Sequence, residues 1–109
     1  MNIQMDLSDV GDPTSRGNAK WAEGDYEGAA AEYTKAIKLD PKCATAFNNR
    51  GNTEYARQRM VQAIADYTAA IKLNPSFALA YCNRGLAKLE AFDSEGTIED
   101  TTKAIEAYR

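Results

Sequence analysis

The chain has 109 residues, enough for one domain, and carries 13 lysines and arginines against 16 aspartates and glutamates, a net charge of −3. It holds no histidine and only two cysteines, Cys43 and Cys82. That removes the usual general base, the commonest metal ligand, and any disulfide scaffold or four-cysteine zinc site, while the acidic balance argues against nucleic acid as the main partner.

Residues 1–9 read as an N-terminal tail, with Asp6 and Asp9, no basic residue and no unbroken apolar stretch that would make a secretory signal. No apolar run reaches the ~18 residues of a spanning helix, so no membrane span is expected. Two cysteines outside any disulfide framework suit a soluble protein of a reducing compartment, the cytoplasm.

From there the chain reads as helix pairs, at 12–23 and 26–39, 44–58 and 61–73, and 78–91 and 95–108. Runs of good helix formers carry apolar residues at three- and four-residue spacing, as in Thr34 to Leu39. Glu23-Gly24-Asp25 makes a tight turn, with Asp25 placed to cap the next helix. Asp40-Pro41 and Asn74-Pro75 stop the second helix of their pairs, because proline lacks an amide hydrogen and pushes its predecessor towards extended backbone. The turn of the second pair, Gln58-Arg59, has no glycine and gives the weakest boundary. Ser94 is the candidate cap of the last helix.

The pairs are copies of one another. Gly17, Gly51 and Gly85 are spaced by 34 residues, and each follows an arginine: Arg16, Arg50 and Arg84. The same step joins Glu32, Asp66 and Asp100, then Thr34, Thr68 and Thr102, then Ile37, Ile71 and Ile105. Pro41 and Pro75 obey it too, and YTKAIKLDP at Tyr33–Pro41 returns as YTAAIKLNP at Tyr67–Pro75. The arginine and acid rows suggest one ion pair per unit, worth under about 1 kcal/mol each if exposed. An anion-binding stripe is the alternative, and the net acidity disfavours it.

In period and pattern the sequence resembles three tandem tetratricopeptide repeats, at about 10–43, 44–77 and 78–109. Phe47, Gly51, Ala63, Tyr67 and Pro75 fill the family's slots in the second unit, and Gly17, Ala29, Tyr33 and Pro41 fill them in the first. The third keeps Tyr81 and Gly85 but places Thr97 and Thr101 where a small and a large packing residue belong. In all three units arginine replaces the pattern's leucine, and Lys20, Glu54 and Lys88 replace its tyrosine. The resemblance implies an all-α, right-handed solenoid of helix pairs, about six helices, acting as a protein–protein interaction module. Without histidine, a glycine-rich phosphate loop, a metal-ligand cluster or a nucleophile elbow, no enzymatic turnover, no cofactor and no bound metal are expected.

The resemblance also implies that the first helix of each pair lines a concave groove. The groove-facing trios are Thr14, Asn18 and Trp21; Asn48, Asn52 and Tyr55; and Cys82, Leu86 and Leu89. Thr45 and Leu79 lie one turn earlier on the same face. Asparagine amides there could satisfy both backbone groups of an extended peptide, with aromatics supplying apolar contact. Alternatively the asparagines only solvate the surface or bond to neighbouring helices, and Trp21 packs on the N-terminal segment.

A subclass of the family clamps the C-terminal carboxylate of cytosolic chaperones. The resemblance would ask for lysine at 14, asparagine at 18 and 49, lysine at 79 and arginine at 83. This chain has Thr14, Asn18, Asn49, Leu79 and Asn83, so all three cations are missing and a chaperone clamp is not expected. On the last helix Ile98, Ile105 and Tyr108 form a stripe facing where a fourth unit would stack, a candidate surface for homo-oligomers unless Met1, Ile3, Met5 and Leu7 cover it. A self-assembling adaptor, or a repeat fragment of a larger protein, are the alternative readings of function.

Overall fold

Six helices follow one another in the computed structural model, which describes residues 11–91 and 94–108. They are α1 (Pro13–Ala22), α2 (Tyr26–Leu39), α3 (Ala44–Ala56), α4 (Met60–Leu73), α5 (Ala78–Glu90) and α6 (Ser94–Ala107). Every boundary falls within two residues of its expected place. Residues 1–10 lie outside the described residues, and with them the apolar groups of the tail; so does the side chain of Ser94.

Local chemistry explains the ends. Asp12 accepts from Ser15 N at 2.8 Å with Pro13 in the first helical position, and Asp25 accepts from Gly28 N at 2.9 Å. Asp40 and Asn74 close α2 and α4 with nearly identical backbone angles, φ −140° and ψ 88° and 89°. Each turns its side-chain oxygen onto an amide two residues on, Lys42 and Ser76, at 3.1 Å. The glycine-free turn of the second pair keeps the geometry of the first. Gln58 takes φ 62° where Gly24 takes φ 79°, although left-handed backbone costs a side-chain-bearing residue about 1 kcal/mol.

Within each pair the helices approach closely over a glycine. A Cβ on Gly17 would stand 2.5 Å from Tyr33 Cε1, and one on Gly51 2.6 Å from Tyr67 Cε1. Alanines supply the rest of the close packing: Ala29, Ala46, Ala63, Ala70, Ala80 and Ala87 have no exposed surface. Tyr67, 1% exposed, fills the space between Ala63 and Ala87 and so joins the second pair to the third. Helices pack on their neighbours in chain order, with α3 also reaching α5, and the result is elongated, 58 × 25 × 22 Å. This is the solenoid of helix pairs that the repeat implies, with no strand among the described residues.

The arginine row is an internal brace. Arg16 Nε donates to Glu32 at 2.9 Å, while Arg50 and Arg84 grip Asp66 and Asp100 through two nitrogens each, at 2.6–2.9 Å. The acids are 14%, 9% and 0% exposed along the array, so these are not the solvent-exposed pairs whose worth is under about 1 kcal/mol. The remaining nitrogen reaches back one unit. Arg50 Nη1 donates to Thr34 Oγ1 at 3.3 Å, and Arg84 Nη1 to Thr68 Oγ1 at 3.2 Å. Arg16 donates instead to the Gly11 carbonyl. Each guanidinium of the second and third units thereby ties three helices, and it stacks 5.6 Å over Phe47 or Tyr81 on its own helix.

Candidate functional site

Residues of α1, α3 and α5 share one face, and two adjoining cavities open on it. Asn18, Trp21, Asn49 and Asn52 line one of them over Tyr33. Trp21, Asn52, Tyr55, Asn83 and Leu86 line the other over Tyr67. Of the expected groove residues, Asn18, Trp21, Asn52, Tyr55 and Leu86 thus come together. Thr14, Thr45, Leu79, Cys82 and Leu89 line neither cavity, though Leu79 and Leu89 are 48% and 52% exposed.

Asn48 requires a correction. It is 2% exposed, and its Oδ1 accepts from Asn83 Nδ2 at 3.2 Å. Asn48 is thus an interhelix brace between α3 and α5 and not a surface group. Asn49 and Asn83, each one residue further along its helix, face the cavities.

The two central asparagines are oriented from below. Tyr33 Oη donates to Asn18 Oδ1 at 2.5 Å, and Tyr67 Oη to Asn52 Oδ1 at 2.7 Å, each across 15 residues. Burial raises the Tyr33 phenol above its ordinary value. Tyr67 is pushed well above its ordinary value by burial, with Tyr55 and Asp66 nearby adding to the effect. Both phenols therefore keep the proton they donate. With Oδ1 taken, each amide is left with its two N–H donors for the groove. Trp21 is 37% exposed and braced edge-on by Tyr26, ring centroids 4.9 Å apart, within the described residues. Burial raises the Tyr55 phenol above its ordinary value, and the nearby Glu90 carboxylate adds to the effect.

Neither cavity has a lysine or arginine in its lining. Three His, Cys, Asp or Glu side chains gather nowhere among the described residues at metal-holding distance, and no described helix is long and apolar enough to cross a membrane. On α6 and the turn just after it, Ile98, Ile105 and Tyr108 are 68%, 54% and 70% exposed.

A family model described as tetratricopeptide repeat matches residues 14–78. No curated protein matches the chain significantly. Among solved structures, the second repeat domain of Spaghetti (RPAP3) bound to the HSP90 peptide SRMEEVD is similar, at 29% identity and a TM-score of 0.85. That match covers 87% of this chain and 88% of the other. The Sgt2 repeat domain from Aspergillus fumigatus is 30% identical with a TM-score of 0.86, over 88% of this chain and 64% of that one. The second repeat domain of human RPAP3 in complex with the HSP70 peptide SGPTIEEVD is 29% identical with a TM-score of 0.85, over 88% and 80%. With the family model matched over more than half of the sequence, and the same helix-pair architecture in each of these structures, this chain belongs to the tetratricopeptide repeat family.

Proposed function

We propose that this chain is a protein-interaction module that holds an extended segment of a partner protein along the face shared by α1, α3 and α5. The observation that carries this is the pair of asparagines fixed by buried tyrosines, Asn18 on Tyr33 and Asn52 on Tyr67. A side chain held by its acceptor atom offers its donors at low entropic cost, and backbone carbonyls of an extended chain are what such donors fit. Similar domains hold chaperone peptides, which supports a peptide as the class of ligand. Thr14, Leu79 and Asn83 supply no cation for a terminal carboxylate, so the chaperone tails of those structures are not the proposed ligand. The cytoplasm is the compartment that suits the free thiols, and no catalytic role is assigned.

The test is capture of partner by the wild type and by an Asn52→Ala, Tyr55→Ala variant with an unchanged unfolding temperature. Loss of capture in the variant supports the groove, and equal capture refutes it.

A second reading, assembly of copies through α6, has one observation in its favour. Ile105 is 54% exposed while Ile71, its counterpart one unit earlier, is 9% exposed. Light scattering on the wild type and on Ile105→Glu decides it, since a wild type that stays monomeric at high concentration removes self-assembly.

A further inference from the structure

We propose that the third unit turns one end of this groove into a pocket for a large apolar side chain. The partner segment would then be anchored by an internal leucine, methionine or phenylalanine. This rests on the groove reading above and names the chemistry of its ligand.

The internal repeat provides the argument. In the first two units an asparagine on the first helix accepts from a tyrosine 15 residues later. In the third unit both members are replaced together. Leu86 stands one period after Asn52, and Thr101 one period after Tyr67. Loss of the tyrosine alone would leave an unoriented amide, and loss of the asparagine alone would strip a phenol of its acceptor. The double change leaves an apolar wall. Leu86 is 53% exposed, and Leu79 and Leu89 stand half exposed seven residues before it and three after, on the same stripe of α5.

That wall faces an aromatic one. Leu86 shares with Trp21 and Tyr55 a cavity of about 170 Å³, closed beneath by Tyr67. An apolar cavity of about 150 Å³ takes a benzene ring, so one leucine- to phenyl-sized group fits. Asn83 stands beside the pocket with one amide N–H given to Asn48, and its Oδ1 is placed to accept a backbone N–H of the ligand. The polar end at Asn18, Asn49 and Asn52 offers donors to carbonyls. A carboxylate entering either cavity would lose hydration with no cation to offset it, so the segment is internal and not a free C-terminus.

The experiment selects binders to the full chain from a library of displayed segments joined at both ends, so that none carries a free carboxylate. One selected peptide is then synthesised with blocked ends. Its binding is followed by the emission of Trp21, the only tryptophan in the chain. The expected result is one position restricted to leucine, methionine or phenylalanine, whose change to serine weakens binding about tenfold or more and abolishes a blue shift of Trp21. Leu86→Asn, at an exposed position and with unfolding temperature unchanged, weakens the parent peptide about tenfold but leaves the serine peptide unaffected. Leu86→Asn combined with Thr101→Tyr rebuilds the polar pair and gives the same loss. Binders with no apolar requirement, or full affinity in Leu86→Asn, overturn the pocket and leave the groove standing. A library that yields no peptide sensitive to Asn52→Ala overturns the groove and the pocket with it.

Discussion

Replacing Gly51 with alanine sets two effects against each other, and the structure decides which wins. Alanine is the better helix former by about 1 kcal/mol. Its methyl, however, would stand 2.6 Å from Cε1 and 2.8 Å from Cδ1 of Tyr67, well inside contact distance. The ring has little room to retreat. It is 1% exposed, it packs among the fully buried Ala63 and Ala87, and its hydroxyl is tied to Asn52 at 2.7 Å. Overpacking costs about 1–3 kcal/mol, and a contact this short against a ring this confined falls in the upper half of that range, about 2–3 kcal/mol, so the net loss after the helix-propensity gain is about 1–2 kcal/mol. For a chain of this size that lowers the melting temperature by about 4–15 °C. Thermal unfolding followed by circular dichroism measures it, with urea unfolding as the second readout. Displacing Tyr67 also releases Asn52, so a groove peptide should bind less tightly to Gly51→Ala at temperatures where it remains folded. A variant as stable as the wild type, or more so, would mean that the ring can move and that the glycine is not needed for close approach.

Asp100→Asn should cost about 1.5–3 kcal/mol in urea unfolding, because it weakens the charge-assisted bonds from Arg84 and Lys88, 15% and 18% exposed, and leaves them facing a neutral group; Glu32→Gln, at the more open end of the row, should cost less. Gln58→Gly should stabilise by about 0.5–1 kcal/mol by removing the left-handed strain at φ 62°, and an unchanged melting temperature would refute it. The raised phenols of Tyr33, Tyr55 and Tyr67 contribute stability that is whole below pH 10.0 and is lost as pH rises through their folded values. Ultraviolet titration of the six tyrosines should therefore show a late-ionising group that appears together with unfolding. At the other extreme Glu32 is held low: burial opposes its charge, but bonds from Arg16 and Lys35 outweigh it. Its share of stability is present above pH 4.5 and is lost as pH falls through the folded value.

Periodicity made the helices legible, because proline and glycine mark their ends chemically. Asp40-Pro41 and Gly24 announce a stop and a turn without any knowledge of the fold. Gln58 does not, since its left-handed backbone is imposed by the same helix-pair geometry that a glycine adopts freely in the first unit. The groove was half legible. Face spacing found Asn18, Asn52, Trp21 and Tyr55 but placed Asn48 beside them, because the depth of a residue depends on where α5 crosses α3. Helical spacing within α3 carries no record of that crossing. The tyrosine clasps were missed for a related reason. Tyr33 and Tyr67 read as packing residues, and only their hydroxyls, which point at a different helix, make them part of the site.

The backward reach of Arg50 and Arg84 sets how the molecule can bend. Each guanidinium is pinned at once to an acid in its own unit and to a threonine in the unit before. Rotating one pair of helices against the next would have to break a hydrogen bond to a partly buried charge, so the joints between units are stiff ones. The spacing of the units is then a built-in dimension, like the gauge of a track, and a guest segment must conform to the spacing that the host already has. Discrimination would fall on the guest's length and register. Cutting the brace with Thr68→Val should let the third unit swing, broadening the range of segments accepted while lowering the affinity for each.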